Sequence, residues 1–305
     1  MRLSFLFSSA LLISACGAAG PTQTPTAVEV PARTASTVET VNQGWLTVDV
    51  VGSGPDVVLL PGLASSADVW DGTVAALSNR YTLHVAQVAG FAGAETGEAR
   101  DGVVAGLADD LATYAAMLEA PVLVGHSMGG FAALHVARDH PERVDGVVVV
   151  DSLPFYPLVF DPNATVDAVR PQAEAMTNRM RQMPKEAYDA GQSQSAALFA
   201  KSPDDRARIA DWGRTSDRNV VADALLDIMT TDLRPDLPDI DVPVIVLYAH
   251  DPAMGVPVER ADALYRNAYA DLPNAELRRI DGSFHFIMDD QPDAFLDALE
   301  AALAR

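Results

Sequence analysis

The sequence predicts an α/β domain: a doubly wound, mostly parallel sheet with a helical cap inserted between two strands. Three observations carry this. Beyond residue 40, short runs rich in Val, Ile and Leu alternate with longer segments of helical periodicity, and alternation on that scale builds a sheet covered on both faces. Several runs, such as Val57–Leu60 and Gly146–Val150, are almost unbroken apolar stretches, the pattern of strands buried on both sides. From Leu153 to about Leu237 only helical patterns occur, which reads as an insertion lying over one edge of the sheet.

The first segment stands apart from the domain. Arg2 supplies a short positive region, and Leu3 to Ala15 form an apolar stretch too short to span a bilayer stably. It ends in Ile13-Ser14-Ala15-Cys16, which resembles the lipobox of bacterial lipoproteins. That resemblance implies residues 1–15 as a signal peptide and acylation of Cys16, the only cysteine in the chain. A lone exported cysteine has no partner for an internal disulfide. The implied location is the bacterial cell envelope, with the membrane as a partner through the lipid anchor. Gly17, where an Asp would signal retention in the inner membrane, leans toward the outer one. Residues 16–40 carry Pro21, Pro25 and Pro31 among Thr, Ala and Val, and are expected to form a tether.

The expected strands in chain order are Trp45–Val51, Val57–Leu60, Tyr81–Val88, Val122–Gly125, Gly146–Val150, Val244–Tyr248 and Glu276–Ile280. Helices are expected over Ala67–Leu77, Asp101–Leu118, Gly130–Asp139, Pro257–Ala270 and Pro292–Ala304. Val166–Arg181 and Asn219–Thr230 are the clearest helical patterns of the insertion. The core is therefore 41–152 with 239–305, and the cap 153–238. Its entrance, Leu153 to Phe160, is aromatic and apolar for a loop, suited either to packing the cap on the core or to lining a pocket.

Composition narrows the function. The 305 residues are 49% hydrophobic and 21% charged, which excludes a disordered chain or a coiled coil. Lys and Arg number 21 against 42 Asp and Glu, a formal net charge of −21. Such an excess repels phosphate backbones, so nucleic acid is excluded as a partner. No P-loop and no paired His/Cys ligand spacing occurs.

The chemistry is concentrated in one turn. Pro121-Val122-Leu123-Val124 runs into Gly125-His126-Ser127-Met128-Gly129-Gly130 and then a helical pattern. This is G-x-S-x-G at a strand-to-helix turn, sharp enough to strain the Ser and present its hydroxyl above the sheet edge. Gly125 and Gly129 remove side chains that would strike the neighbouring strand and helix. A serine hydroxyl needs a base, and the base needs an orienting group. His285, after the last strand, is the expected base, flanked by Phe284 and Phe286. Asp251, after the penultimate strand, is the expected acid, with Asp151 at the end of Gly146–Val150 as the alternative. Backbone N–H groups of Leu63, in the turn after Val57–Leu60, and of Met128 are the expected oxyanion donors. His84, His126, His135, His140 and His250 are read as packing or surface residues.

From about Gly44 onward these segments resemble an α/β-hydrolase of the lidded esterase and cofactor-free haloperoxidase type. The matching stretches are Leu60-Pro61-Gly62-Leu63, Gly125 to Gly130, Val148-Val149-Val150-Asp151 and Gly282-Ser283-Phe284-His285-Phe286. The family commonly has His-Gly where this chain has Pro61-Gly62, and Asp-x-x-Gly-x-Gly where it has Gln87 to Gly93. Ser127 excludes a dehalogenase, which needs Asp as its nucleophile. The resemblance implies a serine hydrolase that cleaves a small-molecule carboxylic ester through an acyl-enzyme, with no cofactor and no metal. Amide, peptide, thioester or lactone hydrolysis and perhydrolysis are alternatives on the same groups. A non-catalytic lipoprotein binding module is the alternative of another class.

Overall fold

The computed structural model of the chain describes residues 39–96 and 102–305. The signal segment 1–15, Cys16 and the tether up to residue 38 lie outside the described residues. Eight strands form one sheet in the order β1-β2-β4-β3-β5-β6-β7-β8. They are β1 (Glu39–Gln43), β2 (Leu46–Gly52), β3 (Asp56–Leu60), β4 (Thr82–Val88), β5 (Val122–His126), β6 (Gly146–Val150), β7 (Val244–His250) and β8 (Ala275–Asp281). The contacts β1–β2 and β2–β4 are antiparallel and the rest are parallel. The sequence reading missed β1 and gave its first two residues to the tether. This edge strand is largely exposed, so it lacks the unbroken apolar run that marks the central strands.

The central strands show why the fold is doubly wound. Val58 and Leu60, Val147 and Val149, and Val244 and Val246 enter one apolar cluster. Val57 and Leu59, Val148 and Val150, and Ile245 and Leu247 enter the other. Successive side chains of a strand point to opposite faces, so an unbroken apolar run has to be covered twice. On the first face lie α2 (Val103–Ala115) and α3 (Met128–Asp139), through Leu107, Leu111 and Phe131. On the second lies α1 (Asp71–Leu77), through Val74 and Leu77, with the Trp70 ring 6.2 Å from Phe295 of the C-terminal helix.

Four helices connect β6 to β7: α4 (Val166–Gln182), α5 (Lys185–Phe199), α6 (Pro203–Thr215) and α7 (Arg218–Thr230). Side-chain caps explain several of their starts. Thr165 accepts from Ala168 N, Ser202 from Asp205 N, and Asp217 from Asn219 N and Val220 N, each satisfying a first-turn N–H that the helix leaves open. The chain closes with α8 (Val258–Ala268), α9 (Ile287–Asp290) and α10 (Pro292–Leu303).

The inserted helices are fastened to the core by polar bonds. Asp227 accepts from Val104 N at 3.0 Å, and Asp217 N donates to Gly90 O at 2.7 Å. Phe286 N donates to Phe199 O at 3.0 Å, and Arg208 of α6 meets Asp289 of α9 at 2.7 Å. Asp289 is mostly buried and its second oxygen has no partner among the described residues. Desolvation therefore outweighs Arg208 and pushes its carboxyl up to about 6.

Two predictions follow from this packing. A Cβ on Gly125 would lie 2.3 Å from the backbone of Gly129. Gly125→Ala should therefore lower stability by about 1–3 kcal/mol in denaturant melts, because β5 and α3 have to part. Asp289 takes its proton more readily folded than unfolded. Its contribution is full below about pH 4 and lost as pH rises through about 6. Melts should show Asp289→Asn more stable than the wild type at pH 7, by on the order of 2 kcal/mol, with the difference vanishing near pH 4.

Candidate active site

Ser127 sits between β5 and α3 with φ 53° and ψ −119°. A non-glycine residue there costs about 1–3 kcal/mol and persists only where its surroundings impose it. They do so here by close backbone approach. Ser127 N donates to Val150 O at 2.8 Å. A Cβ on Gly129 would lie 2.6 Å from Leu60 O and 2.7 Å from Pro61 O. Although Ser127 stands at the N-cap of α3, its hydroxyl makes no capping bond, so the oxygen is left for chemistry.

Ser127 lines a cavity of about 610 Å³ together with Leu63, Met128, Asp151 and His285. Among the described residues, the main-chain N–H groups of Leu63 and Met128 have no hydrogen-bond partner. Gly62 lets their loop come close: a Cβ there would be 3.1 Å from Ser127 Cβ. Leu63, Ser127 and Met128, which the sequence reading grouped together, thus line one cavity.

The carboxylate beside the base differs from the expectation. His285 Nδ1 lies 2.7 Å from Asp151 Oδ2. A carboxylate only accepts, so Nδ1 carries the proton and Nε2 is the free acceptor. The other oxygen of Asp151 accepts from Ala249 N at 2.8 Å and from the Tyr265 hydroxyl of α8 at 2.9 Å. Burial and Asp151 together push the Tyr265 hydroxyl well above its ordinary range, so it remains a donor.

Asp251 is occupied elsewhere. It accepts from Lys201 Nζ at 2.6 Å and from Ala253 N at 2.8 Å, and Lys201 holds its carboxyl below the usual range. Strand register is the physical reason. His126 pairs with Val150, and Val150 with Leu247, so Ser127, Asp151 and Tyr248 stand level at the sheet edge. β7 continues to His250, which carries Asp251 three residues, about 10 Å, beyond Tyr248. The sequence reading ended this strand at Tyr248 and so brought Asp251 too close.

Three further residues that sequence reasoning passed over or read as packing bear on the base. His126 is fully buried, and its Nε2 donates to His285 O at 3.1 Å. The two imidazole rings lie 4.5 Å apart. Desolvation, with His285 adding to it, holds His126 well below the ordinary histidine range and keeps it neutral. Phe199, the last residue of α5, places its ring 5.3 Å from His285. Lys201 donates to Gly282 O at 2.8 Å as well as to Asp251. Lone aromatic and basic residues in a helical insertion carry no motif, and only the fold reveals them. Among the described residues, no group of three or more His, Cys, Asp or Glu could hold a metal ion. None of the described helices is long and apolar enough to cross a membrane.

Known proteins share this fold. A pimeloyl-[acyl-carrier protein] methyl ester esterase of Nitrosomonas europaea is 27% identical over 263 residues, 83% of this chain and 98% of its own length. The crystal structure of a hydrolase from Pseudomonas aeruginosa superposes with a TM-score of 0.71 at 17% identity, covering 89% of this chain and all of that one. A thermophilic esterase from Thermogutta terrifontis, solved with malate bound, gives 0.71 at 20% identity over 87% and 98% of the two chains. Residues 57–298 match the alpha/beta hydrolase family. Because that stretch runs from β3 into α10 and covers most of the chain, the chain belongs to the alpha/beta hydrolase family.

Proposed function

We propose that this hydrolase cleaves carboxylic esters through an acyl-enzyme, with Ser127 as nucleophile, His285 as base and Asp151 as the acid that orients it. The observation that carries the reading is the 2.7 Å contact between His285 Nδ1 and Asp151, in a cavity that Ser127 also lines. In acylation, Ser127 Oγ bonds to the ester carbonyl carbon while His285 Nε2 takes the hydroxyl proton. The carbonyl oxygen becomes an oxyanion facing the N–H groups of Leu63 and Met128. The carbon–alkoxy bond then breaks, and the alcohol leaves with the proton from His285. Water repeats the sequence on the acyl-serine, releasing the acid and returning the proton to Ser127. Asp151 stays ionised and stabilises the imidazolium without taking its proton. Relatives named as methyl ester esterases support an ester over an amide.

The N-terminal reading is part of the same proposal: Cys16 is acylated and holds the enzyme at the bacterial envelope. Cys16→Ser should shift the protein from membrane to soluble fractions when cells are separated, and an unchanged distribution argues against the anchor.

Ser127→Ala should abolish both labelling by a fluorophosphonate probe and hydrolysis of aryl esters, while circular dichroism stays that of the wild type. A wild type that is folded but resists the probe would favour a binding module instead. Asp151→Asn should lower kcat by about 10⁴-fold, because the amide favours the wrong imidazole tautomer. Asp251→Asn should cost less than about tenfold, because that carboxylate meets the half-exposed Lys201 and not His285. Steady-state kinetics of the two variants decide between the carboxylates.

A further inference from the structure

The cavity that holds Ser127 is lined mainly by apolar side chains, among them Leu153, Leu158, Leu225 and Ile228. One residue of the lining carries a fixed positive charge. Arg260 is the only Lys or Arg in the lining, and it is exposed to solvent. It belongs to α8, which runs along the cavity wall. Arg260, Leu264 and Asn267 form one stripe at helical spacing, with Ala261 and Tyr265 beside it, and all five line the cavity.

Tyr265 fixes where this helix stands relative to the chemistry, because its hydroxyl is bound to Asp151, which is bound to His285. Arg260 lies five residues before it, about 7.5 Å along the helix axis. Arg260 therefore stands about one and a half helical turns along the cavity wall from the residue that meets Asp151.

Its lack of a partner is the second point. The chain has twice as many acidic as basic side chains, and most of its arginines are paired. Arg138, Arg181, Arg208, Arg234, Arg278 and Arg279 each meet a carboxylate. Among the described residues, Arg260 meets none. The nearby Asp262 is already committed to Arg279, at 2.7 Å, and to the Tyr248 hydroxyl, at 2.9 Å. A planar guanidinium at the wall of an apolar cavity matches one carboxylate in a two-bond fork.

We propose that Arg260 is a specificity-determining residue that takes a carboxylate at the far end of the substrate. The substrate class is then an ester of a dicarboxylic acid with one carboxylate free and an apolar spacer between it and the reacting carbonyl. This inference rests on the ester hydrolase reading and adds the substrate's second charged end to it.

The test compares monomethyl esters of succinate, adipate, suberate and sebacate with the corresponding dimethyl esters, at pH 7 and low salt. The wild type should favour the monoester by about tenfold in kcat/KM at its best spacer length, the size of one solvent-exposed charge-assisted contact. Added salt should shrink the preference. In Arg260→Gln the ratio should fall to near one, and in Arg260→Glu it should fall below one. Equal use of monoesters and diesters by the wild type at every spacer length overturns this inference and leaves the hydrolase reading standing. A preference that survives both substitutions also overturns it. No hydrolysis of any ester by folded wild type overturns the hydrolase reading, and this inference with it.

Discussion

Parallel pairing of β5 with β6, His126 opposite Val150, is the constraint on which the rest of the site depends. It sets the first residue after each strand, Ser127 and Asp151, at the same height on neighbouring strands. Both residues carry positive φ, 53° and 49°, so each chain turns away as soon as its strand ends. The main chain is held at both turns: Ser127 N to Val150 O, and Asp151 N to Leu247 O at 2.7 Å. The sheet edge supplies the ordering that an isolated serine, histidine and aspartate would have to assemble against conformational entropy.

The base reaches this edge from a different height. β8 pairs with β7 as far as Asp281 opposite His250, well past the level of Asp151. The loop from Gly282 to Phe286 therefore has to turn back for His285 to meet Asp151. Gly282 N donates to His250 O at 2.7 Å, which starts that turn. His126, one residue before the nucleophile, donates to the main chain of His285 itself. Burial keeps His126 neutral at this position, with its ring 4.5 Å from that of His285.

Much of this was legible in the sequence. The alternation of apolar runs and helical patterns placed seven of the eight strands, and G-x-S-x-G between a strand and a helix placed Ser127. Leu63, Met128 and His285, each read from a strand end, line the same cavity as Ser127. Which carboxylate meets His285 was harder to read because two aspartates, Asp151 and Asp251, each follow a strand directly. Only register separates them, and register is a property of paired chains. One signal was nonetheless present. Counting from the paired starts of β5 and β6, Val122 and Gly146, reaches Ser127 and Asp151 after the same five steps. Phe199, Lys201 and Tyr265 had no such signal, because their roles arise from folding the insertion and α8 back over the edge.

The bonds between the insertion and the loop of the base have a consequence for how the molecule can move. Lys201 Nζ holds the loop at Gly282 O and Phe199 O holds it at Phe286 N, so the roof grips both shoulders of the histidine. Lifting the insertion at this corner would break both of its bonds to the loop that carries His285. Any movement of the insertion that keeps both bonds has the Phe199–Lys201 corner as its fixed pivot.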